Sequence, residues 1–407
     1  MVKLCGSWDA ILPTNEHYLR ESLRHGGIAC RIAHDMRGAC AQARTTKAAD
    51  NVAEPSARRE LGQGMATDIA EQPEVFARLL EPAPADAIAA IAARVIEQRP
   101  RHVVFTARGT SDHAALYGAY LSEIRLGIPA GLASPSAVTV YGARPDLAGA
   151  LVIGVSQSGG SADLVEVVRA ARDTGALTLA ITNNPNSALA EAAELHIDVA
   201  AGHERAVAAT KTYTAELLAL LLLVESVRAG GRLPGDERSA LAELPNLAAG
   251  LLDDATPAEI AGRYRFAARV VTTGRGYAYP TAREAALKLM ETSYLPALAF
   301  SGADLLHGPL AMTAPDVPVL AVVGDGPAGA AMREVVTKLD ERRADVVAIG
   351  PSAIDGVRLR IATPSVDERY APLLDILPLQ RLAMHLALAR GEDPDAPRGL
   401  NKVTITR

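Results

Sequence analysis

Two short runs constrain this 407-residue chain more than anything else in it: HVVFTARG (102–109) and RVVTTGRG (269–276). VVFTARG and VVTTGRG agree at five of seven positions, and each is followed by a second apolar run 49 residues on, from Val103 to Val152 and from Val270 to Val319. Apolar β-branched runs alternate with helical patterns from residue 100 onward, through LVIGVSQSG, LTLAITN, VLAVVGDG (319–326) and DVVAIG (345–350). Continuous apolar runs separated by helices are the signature of parallel strands buried on both faces. The spacing therefore predicts an α/β chain of two doubly wound parallel-sheet domains made by internal duplication. Such sheets bind ligands at the carboxyl ends of their strands. The expected division is a poorly patterned extension over 1–64, a first domain over 65–245 and a second over 246–407. At Met65 the stretch MATDIAEQPEVFARLL reads as one amphipathic helix.

Composition narrows the function. The net charge is −6, no Lys/Arg cluster stands out, and residues 1–64 carry nine Lys/Arg against seven Asp/Glu. Nucleic acid is not an expected partner. The longest aliphatic run, LLALLLLV at 217–224, has eight residues between Glu216 and Glu225. A spanning helix needs about 20, so this is a core helix and no membrane partner is expected. Cys5, Cys30 and Cys40 show no metal-ligand spacing, and no signal peptide is evident, so a cytoplasmic protein without metal or cofactor is expected.

GVSQSGGS (154–161) joins a strand's end to a helix start. A helix N-terminus offers free N–H groups and the positive end of the dipole. Ser156, Ser158 and Ser161 add hydroxyl donors, Gln157 an amide, and the glycines close approach, a combination suited to a phosphate group. Helix capping is the simpler reading for any one serine. No G-K-[ST] and no G-x-G-x-x-G is present, which argues against a nucleotide triphosphate or dinucleotide. The corresponding stretch of the second half, VVGDGPAG, carries Asp325 and no hydroxyl, so only the first half is expected to hold phosphate.

ARGTSDHA (107–114), SQSGGSADL (156–164), AVAATKTYTAE (206–216), GRGYAYPTAREAALKLMETSY (274–294), LLHGPLAM (305–312) and PRGLNKVTITR (397–407) resemble the sugar isomerase (SIS) family. They are similar to the isomerase half of glucosamine-6-phosphate synthase. Val2 stands where the synthase has its glutaminase cysteine, and Ala209 stands where its pattern has Ser. Those departures resemble the stand-alone SIS-type glucosamine-6-phosphate deaminases more closely.

Glu284, Lys288 and Glu291 fall at i, i+4 and i+7 of one helix, which by spacing alone fits a solvated charged stripe. The resemblance implies instead that Glu291 shuttles a proton between C1 and C2 of the sugar, with Glu284 and Lys288 setting the charge around it. It implies ring opening by His307, which alone would read as a loop histidine. It implies a site role for Lys402, as an imine former or a contact, where position alone suggests an exposed lysine. Thr110 and Ser111 match further phosphate or sugar contacts, and His113 reads as structural. The activity implied is deamination of glucosamine 6-phosphate. An aldose–ketose isomerase or ammonia-dependent synthase-like enzyme is the alternative, and a sugar-phosphate-sensing regulator a third reading. The resemblance also implies a homodimer in which His307 reaches the neighbour's Glu291.

Overall fold

A computed structural model describes residues 61–402. Three helices lead in, α1 (Gln63–Ala70), α2 (Gln72–Leu79) and α3 (Pro82–Gln98). The first half follows as β1 (His102–Thr106), α4 (Thr110–Leu121), β2 (Ala130–Leu132), α5 (Pro135–Thr139), β3 (Ala150–Ser156), α6 (Ala162–Asp173), β4 (Leu177–Thr182), α7 (Ala188–Ala192), β5 (Leu195–Asp198) and α8 (Lys211–Arg228). Helices α9 (Gly235–Ala242), α10 (Leu244–Leu252) and α11 (Thr256–Tyr264) connect to the second half. There the order is β6 (Val270–Gly274), α12 (Ala278–Ser293), β7 (Ala297–Ser301), α13 (Gly302–Leu306), β8 (Pro318–Val322), α14 (Pro327–Glu341), β9 (Asp345–Gly350), β10 (Leu359–Ala362) and α15 (Ala371–Ala389).

The duplication is explicit in the sheets. The strands pair in the order β2-β1-β3-β4-β5 and, in the other half, β7-β6-β8-β9-β10, the same path through two sheets. Every pairing is parallel. In each sheet the chain reverses direction across the centre, beside β1 in one and β6 in the other, which opens a crevice at the strands' carboxyl ends. All seven residues of β3 and all six of β4 are buried, which is why those runs carry no alternation.

The run Leu217–Val224 lies in α8, buried throughout. Each of its leucine and valine side chains contributes roughly 1.5–3 kcal/mol by leaving water. No helix among the described residues is long and apolar enough to cross a membrane.

The stretch from Met65 departs from the expected single helix. It forms α1 and α2, meeting at Glu71, because Pro73 has no N–H for the carbonyl of Ile69. The Gln72 side chain donates to that carbonyl instead, at 3.1 Å. Helix α1 begins at Gln63, two residues before Met65. The Gly64 and Met65 amides donate to the Asp395 carboxylate at 2.8 and 2.7 Å, tying the first helix to the C-terminal tail. The remainder of the expected extension, 1–60, lies outside the described residues.

Candidate active site

The helices that follow the first strand of each half, α4 and α12, pack against each other. Tyr117 of α4 and Tyr277 at the start of α12 meet edge to face, with centroids 6.0 Å apart. Glycine makes the entry to α12 possible: a Cβ on Gly274 would lie 2.4 Å from the carbonyl oxygen of Ala278.

The charged face of α12 turns into this junction. Glu284 and Lys288 are completely buried, and the Glu291 side chain is 23% exposed. Lys288 Nζ donates to Glu291 Oε2 at 2.5 Å and to Thr110 Oγ1 at 3.0 Å, and lies 3.3 Å from Glu284 Oε1. Thr110 in turn donates to Glu284 Oε1 at 3.1 Å, and His113 Nδ1 stands 2.7 Å from Glu284 Oε2. A solvated stripe is therefore not what α12 forms.

The two carboxylates differ sharply. Both oxygens of Glu284 are engaged in the interior. Glu291 accepts from Lys288 through one oxygen, while Oε1 has no partner among the described residues and sits at the rim. Burial pulls the Lys288 pKa down, but the Glu284 and Glu291 carboxylates more than offset it, and the ammonium is held in its charged form. Removing either carboxylate would leave a buried cation short of counter-charge.

Thr110 and Ser111 open the helix that follows β1. Both sit in the first turn of α4, which faces α12 and α8. The Ser111 hydroxyl donates to Glu216 Oε1 at 2.9 Å in the interior. Burial pushes the Glu216 carboxyl well above the usual carboxylate range, against the lowering effect of that hydrogen bond. His113, read from sequence as structural, belongs to the Glu284 cluster; its place in ARGTSDHA, one turn beyond Thr110, was the available signal.

The serine loop lies at the carboxyl end of β3. Ser156 Oγ accepts the Gly159 N–H and Ser158 Oγ the Gly160 N–H, both at 3.2 Å, and neither hydroxyl donates to a partner among the described residues. Gly159 has φ 62°, and a Cβ there would lie 2.2 Å from the Ser187 hydroxyl oxygen. Ser161 is the N-cap residue of α6, yet its hydroxyl makes no cap bond. Arg108 pairs with Asp163 in the first turn of α6 at 2.8 Å, bringing a guanidinium to the loop that the sequence reading did not select. Gln157 turns inward and donates to Glu204 Oε2 at 2.8 Å. The other oxygen of that buried carboxylate accepts the Thr210 and Lys211 amides at the start of α8.

Lys402 approaches from the C-terminal tail, with its ammonium donating to the Ala206 carbonyl. Lys402 is exposed as a residue, but its ammonium is part-buried against the Ala206 carbonyl, and that desolvation pulls its pKa below the ordinary lysine value. Glu204 and Asp68 oppose the shift, while Lys288 and Lys211 add to it. His307 follows α13 and is exposed. Among the described residues its side chain has no partner, and no bond joins it to Glu291. The structure thus gathers Thr110, Glu284, Lys288 and Glu291, leaves His307 facing outward, and turns Ser111 and Gln157 inward. Among the described residues no group of three or more His, Cys, Asp or Glu is arranged to hold a metal ion.

A model of the SIS domain matches residues 97–226 and again residues 264–390. The chain belongs to the SIS-domain family. A glutamine–fructose-6-phosphate aminotransferase from Gloeobacter violaceus is 36% identical over 357 residues, covering 84% of this chain and 58% of that relative. The chain thus spans just over half the length of that curated relative. Among solved structures, a Silicibacter pomeroyi DSS-3 protein described as a phosphosugar isomerase has 34% identity and a TM-score of 0.72, covering 82% of this chain and 99% of its own. The C-terminal domain of glucosamine-fructose-6-phosphate aminotransferase from Francisella tularensis has 25% identity and a TM-score of 0.73, covering 85% and 100%. The two SIS domains meet across α4 and α12, so the site is built from both.

Proposed function

We propose that this SIS protein is an amino-sugar-phosphate deaminase, converting glucosamine 6-phosphate and water into fructose 6-phosphate and ammonia. The observation that carries the reading is the half-engaged Glu291, whose free oxygen stands at the rim beside a buried, charged lysine. A carboxylate so placed takes the C2 proton of an open-chain 2-amino aldose and returns it to C1. The resulting C2 imine is hydrolysed by water, which supplies the ketone oxygen while the nitrogen leaves as ammonia. Lys402, its pKa lowered by desolvation of its part-buried ammonium, is the candidate to meet C2 as an amine. The serine loop holds the 6-phosphate through Ser156, Ser158 and Ser161.

His307 opens the ring from a neighbouring subunit in this reading, since in its own chain it is exposed and bonded to no site residue. The direction toward ammonia release is supported by Ala209, buried just before α8, where the synthase pattern carries a hydroxyl.

The test is incubation of the purified chain with glucosamine 6-phosphate, without glutamine, metal or nucleotide. Equal amounts of ammonia and fructose 6-phosphate are expected. Aldose–ketose interconversion of a sugar phosphate with no ammonia would replace this reading by isomerisation.

A further inference from the structure

Helix α12 ends in an unusual way. Its last turn is closed by Tyr294 in the left-handed region, φ 51° and ψ 30°. A bulky L residue is an outlier there, and glycine is the usual occupant of such a helix end. The Leu295 N–H completes the return by donating to the Leu289 carbonyl at 3.4 Å. A glycine would make this turn with less strain, so the question is what the tyrosine side chain supplies.

It supplies an anchor. The Tyr294 hydroxyl accepts the backbone N–H of Arg398 at 2.6 Å. The Arg398 guanidinium lies over the Tyr294 ring, 4.1 Å from its centroid, and also reaches Glu392 at 3.4 Å. Upstream, the tail is fastened separately through Asp393 and Asp395, which accept the amides of Gly62, Gly64 and Met65. Beyond Arg398 the described tail carries only a turn bond from Leu400 to Pro397 before it delivers the Lys402 ammonium to the Ala206 carbonyl. Tyr294 is therefore the last side-chain fastening before Lys402, placed three residues after Glu291 on the same helix.

We propose that Tyr294 is a positioning residue: it clamps the C-terminal tail to the end of the catalytic helix and so holds Lys402 at a set distance from Glu291. The role rests on reading Lys402 as a site residue, but the clamp itself does not. The left-handed turn is kept because it aims the ring at Arg398. Both groups that must meet the sugar are then referred to one rigid element.

Hydrogen–deuterium exchange on the substrate-free full chain reads the clamp whatever reaction is catalysed. Tyr294→Gly should speed exchange over residues 396–402 roughly 10- to 50-fold, from loss of one hydrogen bond and one cation–π contact, while α12 exchanges as before. Its melting temperature should be unchanged or higher, because glycine relaxes the left-handed turn. On glucosamine 6-phosphate, kcat should fall about tenfold or more with KM little moved, the pattern of misplaced chemistry rather than weakened binding. Arg398→Ala, which leaves α12 untouched, should reproduce both effects, and the double variant should be no worse than either single one. Tyr294→Phe, which keeps the ring but not the acceptor, should fall between. Unchanged tail exchange in Tyr294→Gly would overturn the clamp. A freed tail with normal kcat would overturn the positioning role, as would faster exchange spread through α12 with a lower melting temperature. A wild-type chain that releases no ammonia would defeat the deaminase reading and leave the exchange result standing.

Discussion

The two halves of this protein follow the same path through the same sheet, yet their equivalent loops do opposite things. After β3, three serines, a glutamine and glycines lead into α6, and the Ser156 and Ser158 hydroxyls donate to no partner among the described residues. After β8, the chain fills the same position with its own carboxylates. Asp325 accepts from Ser352 at 2.7 Å and Ser365 at 2.9 Å, with Arg333 at 3.4 Å. Glu368 takes the Ala328 and Gly329 amides at the start of α14, at 3.0 and 3.2 Å. The helix N-terminus after β8 is thus internally occupied, while the one after β3 is the proposed phosphate site. The lesson is that duplication copies the backbone, while a few side chains decide whether a helix N-terminus serves a ligand or the fold.

The helices after β1 and β6 show a second asymmetry. Helix α4 supplies neutral or titratable partners, Thr110 and His113, while α12 supplies the charges. The largest expected effect tests that division. Glu291→Gln should lower kcat by roughly 10³-fold with substrate still bound, and deuterium from solvent should no longer enter at C1 or C2. Exchange at the wild-type rate would move the proton transfer elsewhere.

Next in size is the consequence of His307 facing outward. Chains carrying Glu291→Gln and chains carrying His307→Ala should each be nearly inactive. Mixed with verified subunit exchange they should recover roughly a quarter of wild-type activity, because half the dimers are mixed and each has one intact composite site. No recovery would place the histidine in its own chain's site.

The loop comparison itself is sharpened by paired variants. Ser156→Ala with Ser158→Ala should raise KM roughly 10- to 100-fold with kcat little changed, since a remote phosphate is held alike in ground and transition states. Asp325→Ser should leave KM untouched and lower stability by about 1–2 kcal/mol, through loss of the Ser352, Ser365 and Arg333 partners. If the second replacement moved KM as much as the first, the halves would not be divided as described.

The smallest catalytic effect is expected from a feature the halves share. Each buries a carboxyl in its final helix, Glu216 in α8 and Asp375 in α15. Burial raises the Asp375 pKa from 3.8 to about 7, partly opposed by the neighbouring Thr363 hydroxyl. Between those values the folded chain keeps a proton that the unfolded chain has lost, so stability falls as pH rises through that window. Relative to Asp375→Asn, the wild-type melting temperature should therefore decline between pH 4 and 7, with the difference between the two constant above. Asp375→Asn should leave KM and kcat at pH 7 near wild type.

Much of this was legible in the chain. The 49-residue recurrence and the unbroken apolar runs announced two parallel sheets, because a strand covered by helices on both faces has no polar side to display. The serine loop announced itself by hydroxyls at a strand-to-helix junction, and Asp325 announced the difference between the halves. Other features were not legible. The spacing of Glu284, Lys288 and Glu291 fits a solvated stripe as well as a buried triad. His113 read as structural, and its place one turn beyond Thr110 was the only pointer to the carboxylate it meets 171 residues away.

The sequence by itself determined the local elements and their order, since these depend on periodicity and on chemistry within a few residues. Only the tertiary structure decided which charges are buried, which hydroxyls are already used and which carboxylate keeps an oxygen free. Those properties arise where α4 of one half packs on α12 of the other and where the tail returns to Tyr294. There a side chain's role is set by neighbours far away in the chain, which no local pattern encodes.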